Sequence, residues 1–550
     1  MLAKNHATSL SSPSKKAHAR TLLSAPIILL CFLVFSCTFL LVPQTAHAAN
    51  QRTTSLDFTS TNVVLRDGTS FNPQTTSITT AQTLEGWGWN AESKTLLVDG
   101  LNLSVVGGID DAAITLAEGT IQVEGAGGAI EFKPDTALPA TIAGIYSTGT
   151  LAFTGSETLS VSITREKKSI GIYTEAGSLS FNGPTIQTSG ADMGIGTNTD
   201  FDIAVAAGSI TAKGLVYGLA CGGSLSVDAA TVTAATSSAN PNLATYAIFA
   251  HKDVTLRNNA IVSATSAMNT LAVQGALTIE DSNLTASATR VGVQVGGPTT
   301  ATNSTLDLLA VNTALSSNGP TAFTNTTAKI STTGGYLGSA FRCFNRLLVD
   351  GGDITLSAAG DRSSGITIAP PDKTPIDRAF IMKAGKFVAQ GKSAGIVFVA
   401  TGENQTPSPA SIEGNLAVLE GGEIFRTTHF GTELDTYWSY SNTGGISFEK
   451  STLVGASPTV IIGEAAPVPP EPKPEPKPEP VAPIPTPTPP ATTDPTPPVP
   501  PTPPSKSATK LPAAGDNTAK PAAALYLTLL GGAALLTATA CSRRHNFKQS

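Results

Sequence analysis

The sequence predicts an all-β chain whose central part is a right-handed parallel β-helix, a solenoid of about a dozen rungs. Two observations predict this fold. An octapeptide with apolar residues at positions 1, 3 and 8 recurs along residues 101–463, and a second apolar residue, usually after Gly or Ala, stands upstream of the copies. A repeat of about 25 residues cannot bury its own apolar face, so stacked copies must form a shared core.

The octapeptide has period-two alternation in its first half, then a Gly-, Asn- or Asp-rich break, then an apolar residue that starts the next strand. Five copies are strong and three are weaker. The strong copies begin at Leu179, Ile203, Leu225, Val254 and Leu277, and the weaker ones at Leu347, Phe380 and Ala417. The eighth residue is Ile261 in the Val254 copy and Ile424 in the Ala417 copy.

The upstream apolar residue, called the anchor below, recurs at intervals of 22 to 30 residues. The anchors are Ile145, Ile172, Ile195, Leu219, Ile248, Leu271, Val293, Leu315, Phe341, Ile366 and Ile396. One anchor per rung predicts a rod on the order of 60 Å long at the usual strand spacing. Tandem β-sandwiches are the alternative architecture, but each would need ~100 residues.

Residues 1–48 have the order of a secretory signal peptide. Four basic residues precede an uncharged apolar stretch at 22–42, and Ala46 and Ala48 supply the small side chains that signal peptidase requires. We therefore expect cleavage after Ala48. Because the apolar stretch is long for a signal peptide, an uncleaved N-terminal membrane anchor is the alternative.

Residues 49–100 predict a short N-terminal cap with strands that lead into the solenoid. Trp87 and Trp89 lie two residues apart, so they share one face of a strand. They could seal the open end of the solenoid or stack on a sugar ring. The Gly-Trp-x-Trp sequence before the Thr95 strand resembles the opening segment of secreted β-helix surface proteins, some of which are described as carbohydrate-binding.

Residues 464–510 predict an extended stalk. The stretch 467–504 contains 20 of the 38 prolines in the chain. Closely spaced prolines favour polyproline II, which would reach ~120 Å at ~3.1 Å per residue. A docking site for aromatic-groove domains is the alternative.

Residues 511–550 combine a short motif, an apolar run at 522–540 and a basic end. The run is long enough to cross a bilayer as a helix, and the basic residues favour the cytoplasmic side. The motif residues are Leu511, Pro512, Ala513, Ala514 and Gly515, and the basic residues are Arg543, Arg544 and Lys548. A membrane anchor formed by the helix alone is the alternative to cell-wall sorting.

This order resembles the sorting signal of sortase-anchored surface proteins of Gram-positive bacteria, which have a Leu-Pro-x-Thr-Gly motif. The resemblance implies that sortase cuts the Ala514–Gly515 bond and joins Ala514 to peptidoglycan. It also implies a secreted protein held on the cell wall. Ala514 stands where the family has threonine, so the resemblance leaves the sortase class open.

The expected mature chain is acidic and poor in cysteine. Within residues 49–514 there are 26 Lys and Arg against 39 Asp and Glu, a net charge of −13. This balance argues against nucleic acid as a partner. Cys221 and Cys343 each follow an anchor by two residues and are five anchors apart, ~24 Å along the rod. Because a disulfide needs Cα atoms within ~7 Å, both thiols should be free and buried.

Some parallel β-helices are polysaccharide lyases or glycosidases, so this fold is compatible with catalysis. The candidate residues are Arg342, Arg346, Asp350, Asp353, Asp361, Arg362, Asp110 and Asp111. The two histidines of the expected mature chain, His251 and His429, lie in different rungs and form no triad or zinc spacing. We predict a non-enzymatic surface protein without metal or cofactor.

The sequence favours an adhesin or surface coat component whose ligand would be a host glycan or glycoprotein. The first alternative is a carbohydrate-binding or polysaccharide-degrading protein on the same fold. The second is a structural spacer without a ligand. Paired acidic side chains on one outer face would favour the degrading protein.

Overall fold

A computed structural model shows a β-solenoid of about 11 turns of stacked parallel coils. The predicted fold class is therefore confirmed. The structure describes residues 51–465 except 107–110, 134–140, 165–167, 239, 241–242, 336–337, 370–378, 401–409, 421–424, 430–434, 442–446 and 452–456. The predicted signal peptide, the predicted stalk beyond residue 465 and the predicted sorting signal lie outside these described residues.

Each turn of the solenoid consists of three strands, which stack into three sheets called faces A, B and C. Face A holds the first half of the octapeptide. Its strands are Thr95–Val98, Gly119–Val123, Leu151–Gly155, Leu179–Asn182, Ile203–Val205, Leu225–Asp228, Val254–Arg257, Leu277–Glu280, Thr299–Thr302, Ala410–Ile412 and the first parts of Thr321–Thr332, Leu347–Ala358 and Phe380–Gly391.

Face B follows face A after the break in the octapeptide. Its strands are Leu101–Val106, Gly128–Lys133, Thr158–Ile163, Thr231–Thr236, Ile261–Ser266, Asn283–Ala288, Thr305–Ala310, the first parts of Thr185–Thr197 and Ser209–Cys221, and the second parts of the three long strands that begin on face A. In most copies the residue at the eighth octapeptide position lies at the start of these strands and packs inward, as Ile186 and Ile210 do in paired register.

Face C carries the anchors. Its strands are Ala112–Leu116, Ile142–Ser147, Ser169–Thr174, the second parts of Thr185–Thr197 and Ser209–Cys221, Tyr246–Ala250, Asn269–Val273, Val291–Val295, Thr313–Ser317, Ser339–Cys343, Ser364–Ile368, Ala394–Ala400 and Phe425–His429. All eleven predicted anchors pair in one continuous register, from Ile145 to Ile396. The one-anchor-per-turn prediction is confirmed.

The small residue before most anchors has a steric cause. A Cβ atom on Gly144 would lie 2.4 Å from Cγ1 of Val161, and one on Gly171 would lie 2.3 Å from the carbonyl oxygen of Gly194. Real Cβ atoms do not approach neighbours this closely, so these positions of face C require glycine. Some other turns leave room for a methyl group, and Ala314 is fully buried there.

Most octapeptide copies are confirmed, and two are corrected. In the Val254 copy, Asn258 and Asn259 both have positive φ. Its turn is therefore one residue longer than the turn of a copy that has a single residue with positive φ. Val262 therefore enters the core column and Ile261 is exposed. The Ala417 copy is wrong, because its strand pairs antiparallel with Thr459–Glu464.

The core is one continuous apolar column along the rod. Aromatic side chains stack from turn to turn within it. Phe153 and Phe181 have ring centroids 4.9 Å apart and planes 13° apart. These two rings occupy equivalent positions of neighbouring turns, so their contact stabilises the stack in the way that a cross-strand pair stabilises a sheet.

An N-terminal cap closes the first turn. Short strands at Gln51–Arg52 and Leu56–Asp57 lie parallel to faces B and C, and Trp87–Asn90 pairs antiparallel with the first strand of face A. The cap also has a hairpin, Val63–Val64 with Ser70–Phe71, and one helical turn, Thr80–Thr83. Together these strands cover the end of the core, as a terminal repeat must.

The last described strands are antiparallel, which the repeat did not predict. Thr459–Glu464 lies antiparallel between Phe380–Gly391 and Leu416–Glu420. Asp435–Ser441 pairs antiparallel with both Phe425–His429 and Ser447–Ser451. Val460 and Ile462 are fully buried, so the returning strand covers the C-terminal end of the core.

The cysteines occupy the predicted column. Cys221 and Cys343 are free, buried and separated by five turns in continuous register, a distance of ~24 Å. The same column holds Ser317, whose Oγ donates to the Gly319 carbonyl at 3.2 Å, just as the Cys221 thiol donates to Ser224 at 3.1 Å.

We expect both thiols to react slowly with iodoacetamide until denaturant is added, because burial raises the pKa of each thiol to about 11. Cys221→Ser should change the free energy of unfolding little, because Ser317 already occupies the equivalent position of another turn in this column. Cys221→Leu should destabilise the rod, because it overfills the packed interior. Rapid labelling in native buffer, read by intact mass, would contradict the buried column.

Candidate functional site

One outer surface of the described rod is rich in aromatic side chains. It lies on face C, where the residue two before the anchor and the residue one after it both point outward. The aromatic face comprises Tyr146, Tyr173, Met193, Tyr217, Tyr246 and Phe249. It spans five successive turns, from the Ile145 anchor to the Ile248 anchor, or ~19 Å at the strand spacing.

The rings are held in register by the backbone. Tyr217 and Tyr246 are paired residues of neighbouring turns, with ring centroids 6.1 Å apart and planes 13° apart. Phe249 packs at 6.2 Å from Tyr217 and 5.7 Å from Tyr246, inclined to both. Tyr146 and Tyr173 form a second stack at 6.2 Å. Tyr146 and Tyr217 remain half-exposed, so ligands can reach both stacks.

A backbone irregularity lies beside the stack of Tyr217 and Tyr246. Leu215 and Val216 together oppose Asp192 alone in the pairing of neighbouring turns. Two residues opposite one define a β-bulge, a feature that re-aims side chains and is frequent beside functional sites. Here the bulge places the half-exposed Asp192 next to Tyr217.

The carboxylate of Asp192 is partly withdrawn from water. Burial raises the pKa of Asp192, and a hydrogen bond from the Lys168 backbone amide only partly offsets this effect. Burial also raises the pKa of Tyr217 to about 12, with smaller contributions from Tyr246 and Asp192. At the other end of the aromatic face, the Tyr146 hydroxyl donates to Glu175. The site thus joins aromatic rings to carboxylate acceptors.

No family model, no curated protein and no solved structure matches the chain.

The predicted sugar contacts, Trp87 and Trp89, lie inside the N-terminal cap. Trp87 is fully buried, and its Nε1 donates to Glu85 Oε2 at 2.8 Å. Trp89 stacks on Phe58 at 4.5 Å and donates to the Pro73 carbonyl at 2.8 Å. A sugar could stack on either ring only if the cap opened, so both side chains act as the end seal that the sequence also allowed.

A buried ion pair between Arg52 and Glu85 stabilises the N-terminal cap around these tryptophans. Arg52 Nη1 donates to Glu85 Oε2 at 2.8 Å, and both side chains are at most 4% exposed. The remaining Arg52 donors reach the carbonyls of Thr54 at 2.8 Å, Ser55 at 3.3 Å and Val64 at 2.8 Å.

The acidic catalytic candidates face bases of the next turn. Asp361 Oδ1 lies 2.8 Å from Lys392 Nζ, and Asp350 Oδ2 lies 4.0 Å from Lys383 Nζ. Asp353 pairs in register with Lys386. Each carboxylate thus has a cation of the next turn beside it.

The remaining candidates do not converge on one site. Arg342 is on face C, where burial lowers its pKa, whereas Arg346 and Arg362 are exposed in turns. Asp111 precedes the first long strand of face C, many turns away. Among the described residues, no three His, Cys, Asp or Glu side chains form a group that could hold a metal ion.

Other predicted residues lie outside the description. These are Asp110, the His429 side chain, the signal-peptidase residues Ala46 and Ala48, the motif from Leu511 to Gly515, and the apolar run at 522–540. Among the helices that the structure describes, none is long and apolar enough to cross a membrane.

The aromatic face was missed from the sequence. Its signal was the recurrence of Tyr, Phe or Met one residue after an anchor or two before it, as in Tyr146, Tyr173 and Met193. Strict alternation would place the residue two before an anchor inside the rod. The small residue just before the anchor is skipped in the pairing register, and this reverses the direction of the preceding side chain.

The buried titrating groups predict loss of stability at alkaline pH. Burial raises the pKa of Cys221 and Cys343 from 9.0 to about 11 and that of Tyr217 from 10.0 to about 12. The unfolded chain loses these protons first. Their stabilising contribution is therefore complete below about pH 9 and decreases as pH rises towards about 11 or 12.

Urea denaturation midpoints at about pH 8 and about pH 10.5 measure this loss. A double variant with Cys221→Ser and Cys343→Ser should lose less stability between the two pH values, because serine does not titrate. An equal loss in both proteins would show that the thiols are not the cause.

Proposed function

We propose that this chain is a cell-wall-anchored surface protein of a Gram-positive bacterium, acting as an adhesin or coat component. The order of the C-terminal segment carries the proposal: Leu-Pro-x-x-Gly at 511–515, the apolar run at 522–540, then basic residues. Sortase and peptidoglycan are the partners in this scheme. The proline-rich stretch at 467–504 would carry the β-helical rod through the wall.

The described rod suits display at a surface. About 11 turns correspond to a rod on the order of 50 Å long. Much of face B presents hydroxyl side chains to solvent in a regular column: Thr211, Thr233, Ser263 and Thr285. Such a surface is neutral and offers many donors and acceptors to a ligand.

The charge arrangement supports an adhesin over a degrading enzyme. A glycosidase needs two carboxyl groups facing one another across a bond of the substrate. Several exposed acidic side chains of the rod instead pair with a base one or two turns away, as Lys94–Glu118, Asp200–Lys252 and Asp228–Arg257 do. The aromatic face favours a second candidate, a carbohydrate-binding surface protein.

The proposal predicts where two altered chains accumulate. A chain that ends at Lys510 should be secreted into the medium, and cells carrying it should lose any adhesion that the full chain confers. A chain with Pro512→Ala keeps the apolar run but lacks the motif, so it should collect in the membrane fraction. Immunoblots of medium, wall and membrane fractions measure this; either altered chain in the wall fraction would overturn the proposal.

A further inference from the structure

We propose that the aromatic face binds an uncharged glycan chain lying along the rod, with Asp192 and Glu175 accepting hydrogen bonds from its hydroxyl groups. This inference rests on the proposed function as a ligand-binding surface protein and names the site and ligand class.

The rings match the amphipathic character of a sugar. A pyranose has apolar C–H groups and a polar rim of hydroxyls, and tyrosine has an apolar ring with a polar tip. Tyr146, Met193 and Tyr217 are half-exposed on the first, third and fourth turns of the aromatic face. The buried Tyr173 packs with Tyr146 and Met193, and the buried Tyr246 and Phe249 pack with Tyr217. Rigid aromatic side chains lose little conformational entropy on binding.

Asp192 is arranged for a ligand that donates hydrogen bonds. An ionised carboxylate can only accept hydrogen bonds. When it is partly buried and accepts too few of them, the lost hydration costs free energy. Asp192 accepts from the Lys168 backbone amide and lies beside a β-bulge at the edge of the ring stack. Sugar hydroxyls would supply the donors that water cannot fully provide there.

Length and charge select the kind of glycan. The aromatic face extends ~19 Å along the rod, long enough for several sugar residues of a linear chain. The carboxylates of Glu175 and Asp192 lie on neighbouring turns of this face, and residues 49–514 have a net charge of −13. Acidic polysaccharides would be repelled, so the ligand is uncharged.

The test is affinity electrophoresis of the full chain in gels that contain one soluble polysaccharide each. The neutral probes are dextran, galactomannan and xyloglucan, and the acidic probes are hyaluronate and polygalacturonate. We expect at least one neutral probe to retard the protein and neither acidic probe to do so. Retardation by no neutral probe, or stronger retardation by an acidic one, would overturn the proposal.

Two variants identify the site. Asp192→Asn keeps the shape and should fold at least as stably at neutral pH, yet it should weaken binding roughly tenfold. Tyr217→Phe keeps the ring stack but removes a hydroxyl, and should weaken binding less. Asp307→Asn, at an exposed position of face B, removes the same charge and should leave binding unchanged. Equal effects of Asp192→Asn and Asp307→Asn would mean that the aromatic face is not the site.

The test separates this inference from the proposed function. A chain recovered from the wall that binds no neutral probe would overturn the glycan inference and leave wall anchoring intact. A chain that binds a neutral probe but is absent from the wall would overturn anchoring and keep the glycan site.

Discussion

Replacing Phe181 with alanine should destabilise the turns around it by about 3–5 kcal/mol. Its ring is 1% exposed and stacks on Phe153, with centroids 4.9 Å apart. Truncation would leave a cavity that the two neighbouring turns cannot close, because their register is fixed by strand pairing with Leu151–Gly155 and Ile203–Val205. The loss should be largest near the cavity, since each turn contacts mainly its neighbours.

Amide hydrogen exchange measures this local loss directly. Exchange should accelerate in the turns that contain residues 151–155 and 203–205 and much less in distant turns. Ser180→Ala is the matched control, because Ser180 is adjacent in the same strand but points outward. If Ser180→Ala and Phe181→Ala accelerated exchange equally, the assignment of interior positions would be wrong.

Replacing Arg52 with alanine should destabilise the N-terminal cap by about 3–5 kcal/mol, because it would leave the carboxylate of Glu85 buried without its cation. Glu85 is fully buried, and its Oε2 receives hydrogen bonds only from Arg52 and Trp87 among the described residues. Exchange of the Trp89 amide, which donates to the Ile78 carbonyl at 2.7 Å, reports on the cap.

Two further variants separate the effect of the unpaired Glu85 charge from the loss of the Arg52 side chain itself. Adding Glu85→Gln to Arg52→Ala should restore much of the lost protection, because the buried group is then neutral. Glu118→Ala breaks the exposed pair with Lys94 and should change little, as exposed pairs contribute little. The buried-charge explanation fails if the double variant is no more protected than Arg52→Ala alone.

Sequence reasoning recovered the parts of the fold that repeat. Anchor spacing and octapeptide alternation are local, and each turn uses them in the same way, so the column from Ile145 to Ile396 could be assigned. The Val254 copy failed for a local reason as well. The sequence does not reveal that Asn258 and Asn259 both adopt positive φ, which shifts Val262 into the core.

The non-repeating parts could not be derived. Arg52 and Glu85 are 33 residues apart, and no periodicity connects them. The Thr459–Glu464 strand looked like another parallel segment, but it returns antiparallel because the last turn offers an unpaired edge beside Phe387. The aromatic face depends on the residue skipped before each anchor, and Asp192 is placed by a bulge; only the pairing register reveals both features.

The most direct test of wall anchoring is the mass of the protein released from purified cell walls by a peptidoglycan hydrolase. The account predicts a chain that starts at Ala49, ends at Ala514 and carries a peptidoglycan fragment on the Ala514 carbonyl. A chain that retains residues 515–550 and is recovered with the membrane, free of peptidoglycan, would contradict it.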